Sequence, residues 1–308
     1  MILRKIFNPI SVAYYMRWQL ALSTAAASAV YAIYAMQWAS ASLPFSLAAI
    51  MGSALAIFLA FRNNNAYARW WEARTAWANI ANASRVFARQ IIANTNASKA
   101  SSDEIQAYQY ELLRRQIAFA HALRLRLREQ PFSDHDWSTL LPANEAANLQ
   151  QRHNAPNCLL LTQGQRIKDG IKAELLGAFD NISLEPTLGA FNSAQAACER
   201  IKNTPLLRQY HFFTQLFLLA FTLLLPFALI GDFLKINAPA LVIPCSILIA
   251  FVFGVMGKIG ELNEDPFENR ITDVPLSALC NDIERDLLEM LQATPLPEKM
   301  QPQNGFLF

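Results

Sequence analysis

Between Arg17 and Arg62 the chain has no Asp, Glu, Lys or Arg: the 44 residues from Trp18 to Phe61 are uncharged. A helix of that length would measure about 66 Å, roughly twice the hydrocarbon thickness of a bilayer. One proline, Pro44, stands near the middle with Ser40, Ser42 and Ser46 around it. The simplest reading is a helical hairpin that enters a membrane, turns and returns. Charge is missing again over Gln209–Gly231 and Ile236–Gly257, each long enough to span. The link between them, Asp232–Lys235, allows only a tight turn, so they form a second hairpin. The absence of any carboxylate or Lys/Arg inside these runs argues against a proton- or ion-coupled carrier, which ordinarily needs an intramembrane ionisable group.

Other absences narrow the reading further. No GxGxxG, Walker, HExxH or GxSxG element occurs, so nothing supports an enzyme. The four cysteines (Cys158, Cys198, Cys245, Cys280) have no CxxC or paired spacing, and reduced buried thiols are expected. Asp134-His135-Asp136 and His153 fit no metal-site spacing, so neither metal nor cofactor is expected. Strand signals are nearly absent and the fold class is all-α. No secretory leader is read in the short amphipathic start, whose apolar side would be Ile6, Phe7, Ile10, Tyr14 and Tyr15.

The charges that are present set an orientation. Arg4, Lys5, Arg17, Arg62, Arg69 and Arg74 flank the first hairpin on its terminal side, and Arg200, Lys202, Arg208 and Lys258 flank the second. The hairpin tips carry only Asp232 and Lys235. The positive-inside rule then places both chain ends and the middle region in the cytoplasm. The expected organisation is residues 1–61, an interfacial helix and first hairpin; 62–208, a cytosolic helical domain; 209–257, the second hairpin; 258–294, a cytosolic segment; and 295–308, a Pro-rich disordered tail. Trp18 and Trp38 bracket the first span at headgroup depth. One helix is expected to run from the second span into the cytosol, with an offset at Asn63–Asn65 and a break over Asn94–Ser102. Further helices are expected at Asp103–Glu129, Gly164–Phe179, Glu185–Lys202 and Leu276–Gln292, with Pro131–Cys158 a loop.

Some polar features have plain readings. His211 is a helix-end histidine near the interface. Arg124-Leu125-Arg126-Leu127-Arg128 could bind anionic lipid or nucleic acid, but a solvated or salt-bridged helix face with a C-terminal cap is the simpler reading, and no nucleic-acid partner is expected. Arg69, Glu72 and Arg74 can pair within one turn.

Three segments then carry a resemblance: FLAFRNNNAYARWWEARTAW (Phe58–Trp77), ACERIKNTPLLRQYHFFTQLF (Ala197–Phe217) and ELNEDPFENRITDVPLSAL (Glu261–Leu279). Together they resemble the bacterial branch of the bestrophin family, over essentially Met1–Gln292. The resemblance implies a homopentamer with four transmembrane helices per subunit in two hairpins, a cytosolic helical body and one central pore. It implies a hydrophobic neck lined by the second span, mapped by counting back from Arg62 to Leu47 (with Ser46), Ile50 and Ala54, and a cytosolic aperture at Ile182. Small residues at Ser46 and Ala54 depart from a uniformly bulky neck. The animal members' acidic calcium clasp is not matched by Asn263–Asn269, so no bound calcium is expected. The implied function is a passive ion channel of the bacterial inner membrane, conducting chloride by family name. A monovalent-cation channel of the same fold is the alternative, and a carrier or sensor binding a small ligand the second. Its expected partners are further copies of itself, membrane lipid and permeant monovalent ions.

Overall fold

The computed structural model describes residues 1–3, 13–36, 42–95 and 101–308. Trp38 and the Ile6, Phe7, Ile10 face fall outside the described residues. Two compact units emerge: Arg4–Arg69 with Pro205–Asp265, and Met1–Leu3 with Trp70–Thr204 and Pro266–Phe308. The dividing points lie a few residues beyond the ends of the uncharged runs.

The first unit holds α1 (Arg17–Ala35), the start of α2 (Phe45–Asn94), α7 (Arg208–Lys235) and α8 (Val242–Asn263). Helix α1 packs on α7 and α8, and α7 on α8, around Val30, Leu55, Leu59, Phe221, Leu225 and Val242. Close approach comes from small residues. A Cβ on Gly254 would lie 2.1 Å from the Gln19 carboxamide, which donates to the Ala250 carbonyl at 3.0 Å. A Cβ on Gly260 would lie 2.2 Å from Asn63 Oδ1. Among the described residues, three helical stretches are long and apolar enough to cross a membrane: α2, α7 and Pro239–Asn263. Arg17–Ala35 is not among them; Gln19 and its run of Ala and Ser make it less apolar than the others.

Helix α2 continues unbroken through Asn63–Asn65, without the expected offset. The Asn63 side chain donates to the Met256 carbonyl at 2.9 Å instead of competing for its own backbone. The helix ends at Asn94, where a break was expected; residues 96–100 lie outside the described ones.

In the second unit, α3 (Ser102–Leu127) is the central helix, buried on nearly all sides from Leu112 to Leu127 and packed by α5 (Ala155–Lys172), α6 (Asp180–Asn203) and α9 (Leu276–Met290). A reciprocal cap starts it: Ser101 Oγ accepts from Glu104 N–H at 3.2 Å, and Glu104 Oε2 accepts from Ser101 N–H at 3.0 Å. Arg115 lies almost fully enclosed between Glu111 and Glu145, and Arg166 grips the other side of Glu111 with two 2.7 Å bonds. These bonds hold the Glu111 carboxyl below its usual range despite its burial.

Several boundaries differ from expectation, each with a local cause. Within Pro131–Cys158 lie a short helix α4 (Ala143–Gln150) and the first turn of α5. Asn154 Oδ1 caps Asn157 N–H at 3.2 Å, and Pro156 falls in the first turn, where a missing N–H costs nothing. Helix α5 stops at Lys172, well before Phe179. Helix α6 starts at Asp180, earlier than Glu185, and contains Pro186. The stretch 295–308 also differs from the expected disordered tail. Its backbone bridges Ile2 to Phe306, Phe308 accepts from Ala278 N–H at 2.8 Å, and Asn281 holds both Glu298 and Met300.

His135 stacks on His121 with ring centroids 4.2 Å apart and meets Trp137 edge-on. Burial, then the neighbouring His121, push His135 down from 6.5 to about 4. The folded state therefore holds this ring neutral while the unfolded chain protonates it first. Its contribution to stability is complete above about pH 6.5 and is lost as the pH falls toward 4. Thermal unfolding midpoints between pH 7 and pH 4.5 should fall more steeply for the wild type than for His135→Phe; equal slopes would contradict this.

Candidate pore-lining face

The first half of α2 has two unlike sides. Ala48, Gly52, Leu55, Leu59, Arg62 and Ala66 are buried. Leu47, Ile50 and Ala54 are exposed, Ile50 at 69%. The three positions that the resemblance assigns to a neck thus share one exposed face of the helix, and Ser46 lies there too. The same helical spacing continues to Ile57 (59% exposed) and Phe61 (63%). Sequence reasoning missed these two. They are the bulkiest side chains on the face beyond Ala54, and an apolar run by itself does not tell which of its members face outward. Ser53 lies alongside but turns its hydroxyl back to the Ala49 carbonyl at 2.8 Å, which leaves the strip apolar from Leu47 to Phe61.

What orients the face is the anchor on the buried side. Arg62 is fully buried. Its Nη2 donates to Glu264 Oε2 at 3.1 Å and to His211 Nδ1 at 2.9 Å. A guanidinium can only donate, so Nδ1 is the acceptor and the His211 ring proton resides on Nε2. Arg69 Nε donates to the Glu264 carbonyl at 2.7 Å, with Asp265 3.9 Å from its Nη2. His211 is therefore more than a helix-end residue. Arg69 and Glu72, expected to pair within one turn, also have tertiary partners: Arg69 bonds Glu264, and Glu72 pairs with Arg200.

Ile182 occupies the first turn of α6 and is 67% exposed, beside Phe179 in the same condition. Among the described residues no group of three or more His, Cys, Asp or Glu is arranged to hold a metal ion. In the segment after α8, Glu264 is paired with Arg62 and Glu268 with Lys202.

A predominantly helical chain that has, among the described residues, three helices long and apolar enough to cross a membrane fits an integral membrane protein. Residues 5–289 match the family model for bacterial and fungal bestrophin proteins. The chain belongs to the bestrophin family. It is similar to the voltage-dependent anion channel-forming protein YneE of Escherichia coli K12, 35% identical over 263 residues that cover 85% of this chain and 81% of the relative. A protein of the same description from Ralstonia nicotianae, RSc3414, is 32% identical over 80% of this chain and 76% of its own length. The crystal structure of a bacterial bestrophin homologue from Klebsiella pneumoniae superposes with a TM-score of 0.82 at 28% identity, covering 91% of this chain and all of that one.

Proposed function

We propose that this protein is a passive anion channel of the bacterial inner membrane. Five copies surround one pore, each with four membrane helices in two hairpins and both chain ends cytoplasmic. The observation that carries this reading is the continuous exposed apolar strip on α2, held outward by the buried Arg62. A fixed azimuth keeps the same residues on the open face in every copy, as a pore wall requires.

Leu47, Ile50 and Ala54 form the outer part of the neck, and Ile57 and Phe61 its narrower continuation. A ring of aliphatic or aromatic side chains cannot coordinate an ion and gates by excluding water. Ile182 forms the cytosolic aperture. Arg17–Ala35, although the least apolar of the four, crosses as the first helix with its Ala- and Ser-bearing face against α7 and α8. The excess of Lys and Arg at the hairpin ends supports the cytoplasmic placement of the termini.

Anion permeation rests on the names of the relatives, since apolar rings carry no sign. The test is the reversal potential of the protein in planar bilayers under an asymmetric KCl gradient. A value near the chloride equilibrium potential is expected. A value near that of potassium would replace the reading by the cation-channel alternative. A flux that requires a counter-substrate would replace it by a carrier. Ile182→Ala should change chloride flux or halide preference in liposomes while leaving the oligomer intact; unchanged permeation would remove this residue from the pore.

A further inference from the structure

In the Arg124–Arg128 run the middle arginine alone is paired with a carboxylate among the described residues. Arg126 Nε pairs with Glu199 at 3.0 Å, and its Nη1 donates to the His153 carbonyl. Arg124 and Arg128, four residues apart on the same face of α3, turn the other way and meet at one hydroxyl. Arg128 Nη1 donates to Ser277 Oγ at 2.7 Å and Arg124 Nη1 at 3.4 Å. The Nε atoms of both arginines are enclosed and have no partner.

Among the described residues no side-chain carboxylate pairs directly with either arginine, and Asp273 acts on Arg128 only through its field. Among the neighbouring acids, Asp273 accepts from Arg270 N–H and the Thr272 hydroxyl, and Glu284 faces His121 Nε2 at 3.4 Å. Burial, with Arg124 adding to it, pushes the Arg128 guanidinium down to about 10. Ser277 receives a hydrogen bond on each lone pair, so its own O–H is left to donate. The cluster therefore consists of two guanidinium forks and a hydroxyl, all donors, at a partly exposed position. Ser277 also stands in the first turn of α9, and the nearby Ala278 N–H is taken by the Phe308 carbonyl.

We propose that Arg124, Arg128 and Ser277 form a binding site for a phosphate-type oxyanion in the non-membrane unit, distinct from the permeation path. Several donors converging from different side chains suit an anion with several acceptor oxygens better than a monatomic halide. Bound phosphate would give both guanidinium groups a directly bonded counter-charge and would clamp the end of α3 to the start of α9.

The test is thermal unfolding and isothermal titration of the full-length protein in detergent, with inorganic phosphate replacing chloride at constant ionic strength. Phosphate should raise the wild-type midpoint and bind saturably, since a ligand specific for the folded state stabilises it. Ser277→Ala should weaken phosphate binding about tenfold, and Arg128→Gln should abolish it, because charge-assisted hydrogen bonds are lost. Arg126→Gln, which removes the arginine already paired, should leave binding unchanged. Equal phosphate effects in the wild type and Ser277→Ala, or no saturable binding by the wild type, would overturn the proposal. Should Arg128→Gln fail to fold, the comparison of Ser277→Ala with Arg126→Gln decides alone.

Discussion

Arg62→Ala should destabilise the membrane unit by about 3–5 kcal/mol, the cost of stripping one partner from a buried ion pair. The side chain is fully buried and its Glu264 partner nearly so. Removing the guanidinium strips the nearly buried Glu264 carboxylate of the cation bonded to it and takes the donor from His211 Nδ1. Arg62→Lys should fall between, because one ammonium cannot reach Glu264, His211 and the Gly257 carbonyl in the planar fork geometry the site uses. Pairing Arg62→Met with Glu264→Gln should recover much of the loss, since the isolated charge is then gone. Thermal or denaturant unfolding in detergent measures all three. A loss below about 1 kcal/mol for Arg62→Ala would mean that Glu264 finds water or another cation.

The second large effect concerns conduction. Ile57→Ala combined with Phe61→Ala should raise single-channel or liposome flux about tenfold or more, if these side chains wall the pore. The barrier to wetting an apolar neck grows with its apolar surface, at about 25 cal/mol per Å². Truncating two such side chains in every copy removes enough surface to exceed the ~1.4 kcal/mol that corresponds to a tenfold rate. Ile50→Ala should act in the same direction but more weakly, because the adjoining level at Ala54 is already wide. Flux unaltered by all three substitutions, with oligomer and expression intact, would show that this strip faces lipid or a neighbouring subunit.

Much of the architecture was readable in the residues. The charge-free runs gave the apolar helices, and the polar Asn94–Ser102 stretch marked the end of α2 correctly. Leu47, Ile50, Ala54 and Ile182, to which the resemblance points, are exposed on their own units. Misreadings came where a local signal has two meanings. Pro156 looks like a breaker, yet a proline in the first turn of a helix is tolerated, and it lies at the start of α5. The Asn63–Asn65 run looks like a junction, yet Asn63 gives its side chain to the neighbouring helix. The Pro-rich end looks unstructured by composition, yet its backbone finds partners at Met1–Leu3 and on α9.

By composition and periodicity alone, the chain determined that it is helical, that it enters a membrane, and where its apolar segments begin and end, because bilayer thickness and backbone hydrogen bonding leave so few solutions. The azimuth of α2 was decided only in three dimensions. Every residue from Phe45 to Phe61 is uncharged, so hydropathy cannot distinguish one side of the helix from another. That distinction required Arg62 to meet Glu264 and His211, residues more than a hundred positions away, and packing is the only thing that brings them together.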